Sequence, residues 1–230
     1  MLFEKLVIIM RAVMSSLDRF CKEYISEWSG HPEHLDRLLK DARSAMQGSN
    51  EDWVWCRESL EHSKKRWFVA RLFAKSPVPG RLLSSMIEAA IDVDNPSTNR
   101  HFIEPCVRSL GALYVLKALH KVLEGQSAIK QTGALDALYW VNTNPRQEDL
   151  SEERGLLRKI TIKLFLETDY VPLQRSIISK LYPHSEDEDP RFSLVVEMAR
   201  NHEDEYIRHR IEVQLGLSDG PLQILPLRNT

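Results

Sequence analysis

Eight histidines, three cysteines and a run of four acids are the residues whose chemistry would be most telling if their spacing agreed. His31 and His34 stand three apart with Asp36 close behind, a spacing that lets a helix start offer two metal ligands. A zinc site needs three or four converging donors, and no second pair is present, so a solvated helix start is expected. His202-Glu203 opens like a metalloprotease HExxH, but the second histidine is missing because Tyr206 stands there. The run Glu186, Asp187, Glu188, Asp189 has the oxygens calcium prefers, without the EF-hand spacing or its central glycine. It reads as a solvated loop between helices. The nine glycines are scattered, so no phosphate-cradling loop exists, and there is no GxSxG elbow or cysteine–histidine signature. Cys21, Cys56 and Cys106 are far apart and odd in number. They point to small helix-packing residues in a reducing compartment rather than a disulfide framework. No catalytic residue, metal or cofactor is expected.

The aromatic residues offer a different chemistry. Trp67 follows the basic run Lys64, Lys65, Arg66, which places phosphate-binding groups beside a stacking surface. Asp136 and Trp140 stand four apart and can share a helix face. For Trp28, Trp53, Trp55, Trp67 and Trp140, buried packing is the expectation.

Helices must position all of these residues. Pro32 suits the first turn of a helix with Glu33 at its positive end, and Leu35, Leu38, Leu39, Ala42 and Met46 follow at helical spacing up to Gly48. Ser49 with Asp52, or Asn50, can cap the next helix through Trp53 and Cys56 to Leu60. Another carries Trp67, Phe68, Arg71 and Leu72. Pro77, Pro79 and Gly80 break it and open one from Leu82 to Val93. Asn95-Pro96-Ser97 is a turn, followed by a helix over 102–110 and a corner at Gly111. Leu113, Leu116, Leu119 and Leu123 form one stripe before Gly125. A helix from Ile129 to Val141 ends at the polar run Asn142 to Pro145. Ser151 can cap the next, with a face of Leu157, Ile160 and Leu164. The apolar run Leu6–Met10 is far shorter than the ~20 residues needed to span a bilayer and reads as the face of a first helix. No stretch alternates with period two, so strands are not expected.

The last helices repeat a phrase. Residues 172–181 read PLQRSIISKL and 206–215 read YIRHRIEVQL, with anchors Leu173, Ile177, Leu181 and Ile207, Ile211, Leu215 four apart. Weaker copies are FIEPCVRSL at 102–110 and KQTGALDAL at 130–138. Near-repetition of a short helix predicts stacked hairpins, with these anchors facing the core between hairpins. Leucines 72, 110, 138, 181 and 215 are spaced 38, 28, 43 and 34 apart, too irregular for tetratricopeptide or ankyrin arrays. HFIEPCVRSLG, ALDALYW and DEYIRHRIEVQLG resemble HEAT-type repeats. More narrowly, they are similar to a group of bacterial HEAT-like proteins without an assigned role.

The resemblance implies an all-α, irregular stack of about ten to twelve helices forming a curved α-solenoid. The expected division is a helical cap over 1–63, HEAT-like repeats over 64–216 and an extended tail over 217–230, where Pro221 and Pro226 fall. The second helices of such hairpins line the concave face, as the resemblance implies. That selects Lys117, His120, Lys121 and Glu124 on one helix and Arg154, Arg158, Lys159 and Lys163 on another. Arg154 and Arg158 with Lys159 or Lys163 follow neighbour spacing, so a basic ridge is expected.

A net charge of −2 and no strongly basic half argue against general nucleic-acid binding. The expected function is non-enzymatic: a cytoplasmic scaffold, adaptor or immunity-type binder of a protein partner. Its contacts would be Lys117, Lys121, Arg154, Arg158 and Lys163. Some HEAT-like proteins are DNA glycosylases, so a nucleic-acid role is the alternative. No membrane contact is expected.

Overall fold

A computed structural model describes residues 16–28, 31–46, 48–93, 95–142, 149–181 and 189–216. Leu6–Met10, Gly30, Asp94, Pro145, Ser185–Glu188 and the tail over 217–230 lie outside these. Among the described residues the chain is all helix, with no strand. In chain order the helices are α1 (Ser16–Ser26), α2 (Pro32–Ala45), α3 (Asn50–Glu61), α4 (Lys65–Leu72), α5 (Leu83–Ile91) and α6 (Arg100–Leu110). There follow α7 (Ala112–Gly125), α8 (Ala128–Asn142), α9 (Ser151–Glu167), α10 (Val171–Ile178), α11 (Arg191–Arg200) and α12 (Glu205–Gln214). One 3-10 turn, Gly80–Leu82, opens α5. None of these helices is long and apolar enough to cross a membrane.

Local chemistry sets the helix ends. Pro32 opens α2, where its missing N–H costs nothing. Ser49 caps α3 in a reciprocal box. Its hydroxyl accepts from the Asp52 N–H at 3.2 Å, and the Asp52 carboxylate accepts from the Ser49 N–H at 3.1 Å. Gly111 turns α6 into α7 at φ +92°, and Gly216 ends α12 at φ +70°; both are conformations that side chains disfavour. At α9 the expected cap differs. Ser151 is the first helical residue and its N–H donates to the Asp149 carboxylate at 3.0 Å, so the acid two residues earlier serves the helix start.

The chain divides into two compact units, Met1–Leu119 with Asp136–Glu148, and His120–Leu135 with Asp149–Thr230. In the first, α3 pairs with α4 and α5 with α6, while α3 packs on α5 and α4 on α6. Each helix thus meets its hairpin partner and the helix two places on. In the first hairpin α2 follows this rule by packing on α4, and α1 departs from it by packing on α4 too, three places on. In the second unit α9 pairs with α10 and α11 with α12, and again α9 packs on α11 and α10 on α12.

The repeated phrase lies at that last contact. Leu173, Ile177, Ile207 and Ile211 are fully buried and Leu181 nearly so. Leu215, at the end of α12, is only half-buried. Polar groups lock the same junction. Asp204 caps α12 by accepting the Ile207 N–H at 3.2 Å, and takes both forks of Arg175 from α10. His202 accepts the Asp204 N–H on Nδ1 at 2.9 Å. Its Nε2 therefore carries the proton and donates to the buried Gln174 Oε1 at 3.0 Å.

Two expected faces differ. Leu113 stands 36% exposed while Leu116, Leu119 and Leu123 are buried. On α9, Ile160, Thr161, Ile162 and Phe165 are buried, and Leu157 and Leu164 are half-buried. A helix gripped by both α10 and α11 has two covered sides, so no single stripe describes it. Truncating Ile177 or Ile211 to alanine is expected to lower stability by ~2–5 kcal/mol, and truncating the exposed His209 by no more than about 0.5 kcal/mol. Urea unfolding would measure each; equal losses at the three sites would contradict the packing described.

Candidate binding groove

Aromatic packing in the first unit builds an open groove of about 390 Å³, lined by Ile25, Trp28, Ser63, Lys64 and Trp67. Three segments supply it. Tyr24 and Trp28 stand four apart at the end of α1, so their rings meet edge to face at 5.3 Å. Tyr24 is 3% exposed and packs on Phe68 of α4 at 5.4 Å, whereas Trp28 is 52% exposed. One edge of the Trp28 indole is therefore anchored and the rest faces water. That leaves roughly 100 Å² of indole uncovered, or about 2.5 kcal/mol of apolar burial not taken up within the chain.

Trp67 forms the other wall. Its ring rests on Phe102 at 5.1 Å and meets His101 at 6.1 Å, which sets its angle from behind. Burial, with Arg71 and Arg100 nearby, holds His101 below the usual imidazole range. The floor is the tight α3–α4 connection. The His62 carbonyl accepts the Arg66 N–H at 3.0 Å and its Nδ1 accepts the Lys64 N–H at 3.3 Å.

The three cations of this corner have different surroundings. Lys65 binds Asp18 at 2.8 Å and lies 5.9 Å from the Trp55 ring centroid. Lys65 also holds the Asp18 carboxyl below its ordinary range. Arg66 donates to the carbonyls of Ala89 and Asp92, both at 3.4 Å. Lys64 is exposed and lines the groove. The expectation of buried tryptophans therefore changes: Trp28 is exposed, and the other four are half-buried. Trp140 donates to the Pro96 carbonyl at 3.1 Å, packs on Tyr139 and lies beneath Arg100, pinning the end of α8 to the 95–99 turn. Asp136, one turn earlier, is half-buried.

The cations selected from the sequence are placed unevenly. Lys117 and Lys121 are exposed, one turn apart on α7. Arg154 and Lys163 are exposed on α9, and Lys163 is 4.0 Å from Glu167. Arg158 is half-buried, its guanidinium 4.7 Å from the Phe192 ring centroid, and burial lowers its pKa. It is a packing residue between α9 and α11. His120, expected on an open face, is 4% exposed. Its Nδ1 faces Glu153 at 3.4 Å, and its Nε2 has no hydrogen-bond partner among the described residues.

His34 lies 3.7 Å from Glu23. Among the described residues no three His, Cys, Asp or Glu side chains are placed to hold a metal ion. Asp189, the described member of the acidic run, is held by the fork of Arg191, which lowers its pKa to about 2. No protein-family model, curated protein or solved structure matches this chain.

Two measurements follow from the buried groups. Burial lowers the pKa of His120, against the opposing pull of Glu153 and Glu124. The unfolded chain then binds the extra proton first. Stability is full above the ordinary imidazole value of 6.5 and is lost as pH falls through it toward the folded value. Replacing His120 by Gln should flatten the loss of stability between about pH 7 and 5, and removing His101 as well should flatten it further. An unchanged slope in both variants would contradict the assignment.

Burial also pushes the thiols up, Cys21 to about 11 and Cys56 and Cys106 to about 12. All three should resist a thiol reagent at neutral pH in the folded protein and react together once urea unfolds it. A fast-reacting thiol in native buffer would argue against that burial.

Proposed function

We propose that this chain is a non-enzymatic interaction module, a HEAT-like set of helical hairpins that holds a protein partner. The observation that carries this reading is Trp28, anchored on Tyr24 along one edge and half in water at the mouth of an aromatic groove. A half-exposed indole packed against Tyr24 beside a concavity has the form of an interface hot spot. The pairing of α3–α4, α5–α6, α9–α10 and α11–α12, each helix also meeting the one two places on, supports the HEAT-like reading. Lys117, Lys121, Arg154 and Lys163 supply further exposed polar contacts. The three free, buried thiols fit a reducing cytoplasm.

A nucleic-acid role, of the kind found in HEAT-like DNA glycosylases, draws on the same indoles and on Lys64. It is less well supported, because strand binding needs a row of cations along the backbone and, among the described residues, one lysine lines this groove.

Affinity capture from native lysate with the full chain and with Trp28→Ala tests the reading. A protein should co-purify in fixed ratio with the wild type and be lost from the variant, whose affinity should fall by about 2 kcal/mol or more. Capture that ignores Trp28→Ala, or recovery of nucleic acid alone in a salt-sensitive manner, would defeat it.

A further inference from the structure

We propose that the Trp28–Trp67 groove receives an acidic segment of the partner, with one apolar side chain between the indoles and its flanking carboxylates facing Lys64. This rests on the reading of the groove as a partner site and adds the chemistry of what enters it. The walls Ile25, Trp28 and Trp67 are apolar, and a volume of about 390 Å³ suits one or two side chains rather than a duplex.

Charge selects the flanks. The positive end of a helix favours acids and disfavours cations, yet the first turn of α4 holds no acid, begins with Lys65 and Arg66, and follows Lys64 at the N-cap. Asp18 pairs with Lys65 at 2.8 Å and with Lys22 at 3.1 Å. Lys64 and Arg66 make no ion pair with any described carboxylate. Glu27 and Glu61, the acids nearest the corner in sequence, are exposed and pair with neither. Lys64 therefore stands beside the apolar walls with its positive charge outside any ion pair of the described residues. An acidic partner segment relieves it; a basic one adds to it. Lys64, the lysine among the described lining residues, places the preferred carboxylates next to the apolar anchor, within reach of an ordinary peptide.

The test uses the full chain and two fluorescein-labelled peptides that share a central Leu-Phe pair, one flanked by glutamates and the other by lysines. Fluorescence anisotropy should show the glutamate peptide binding the wild type about 10-fold or more tighter than the lysine peptide. Trp28→Ala should abolish binding of both, and Lys64→Glu should reverse the preference. Reversal cannot arise from misfolding, and circular dichroism of each variant checks the helices. If both peptides bind alike and depend on Trp28, the charge inference fails while the partner-site reading stands. If neither binds although Trp28-dependent capture succeeds, the acidic-segment inference fails alone. Failure of binding and capture together defeats both, and Trp28-dependent binding of a single-stranded oligothymidylate in preference to either peptide overturns the inference in favour of nucleic acid.

Discussion

The structure depends on one packing rule: a short helix must bury one side against its hairpin partner and another against the helix two places along the chain. Eight- to twelve-residue helices such as α4, α10 and α3 are too short to be stable alone in water. Their stability comes from the covered faces. At the junction of α10 with α12 this reduces to four fully buried residues, Leu173, Ile177, Ile207 and Ile211. The polar groups around them, Gln174, His202, Asp204 and Arg175, fix the register of a contact whose apolar part alone would tolerate sliding.

The same rule explains what could be read from the residues. Helix ends were legible because they are local: Pro32, the Ser49–Asp52 box and Gly111 act on groups within a few positions. The anchors of the two phrases were legible because each of those helices buries a narrow stripe. Faces set by two neighbours were not. Thr161 and Ile162 of α9 are as buried as Ile160, which no single helical period predicts. His120 looked like a surface residue among lysines, and its burial beside Glu153 depends on a helix thirty residues away.

The groove was half legible. Lys64–Arg66 ahead of Trp67 marked one wall in the sequence, and Tyr24 four residues before Trp28 would have marked the other. Nothing in the spacing brings the end of α1 to the α3–α4 connection. That approach follows from α1 packing on α4. Nor does composition separate Lys65, neutralised by Asp18 from 47 residues away, from Lys64 one position earlier. In the basic ridge expected on α9, Arg158 is half-buried against Phe192 of α11, while Arg154, Lys159 and Lys163 are exposed.

Asp204 has a consequence for how the molecule opens. One carboxylate both starts α12 and grips Arg175 of α10. α12 therefore cannot fray from its N-terminal end without also breaking its ion pair with α10. Opening at the start of α12 is thereby coupled to α10 across an ion pair.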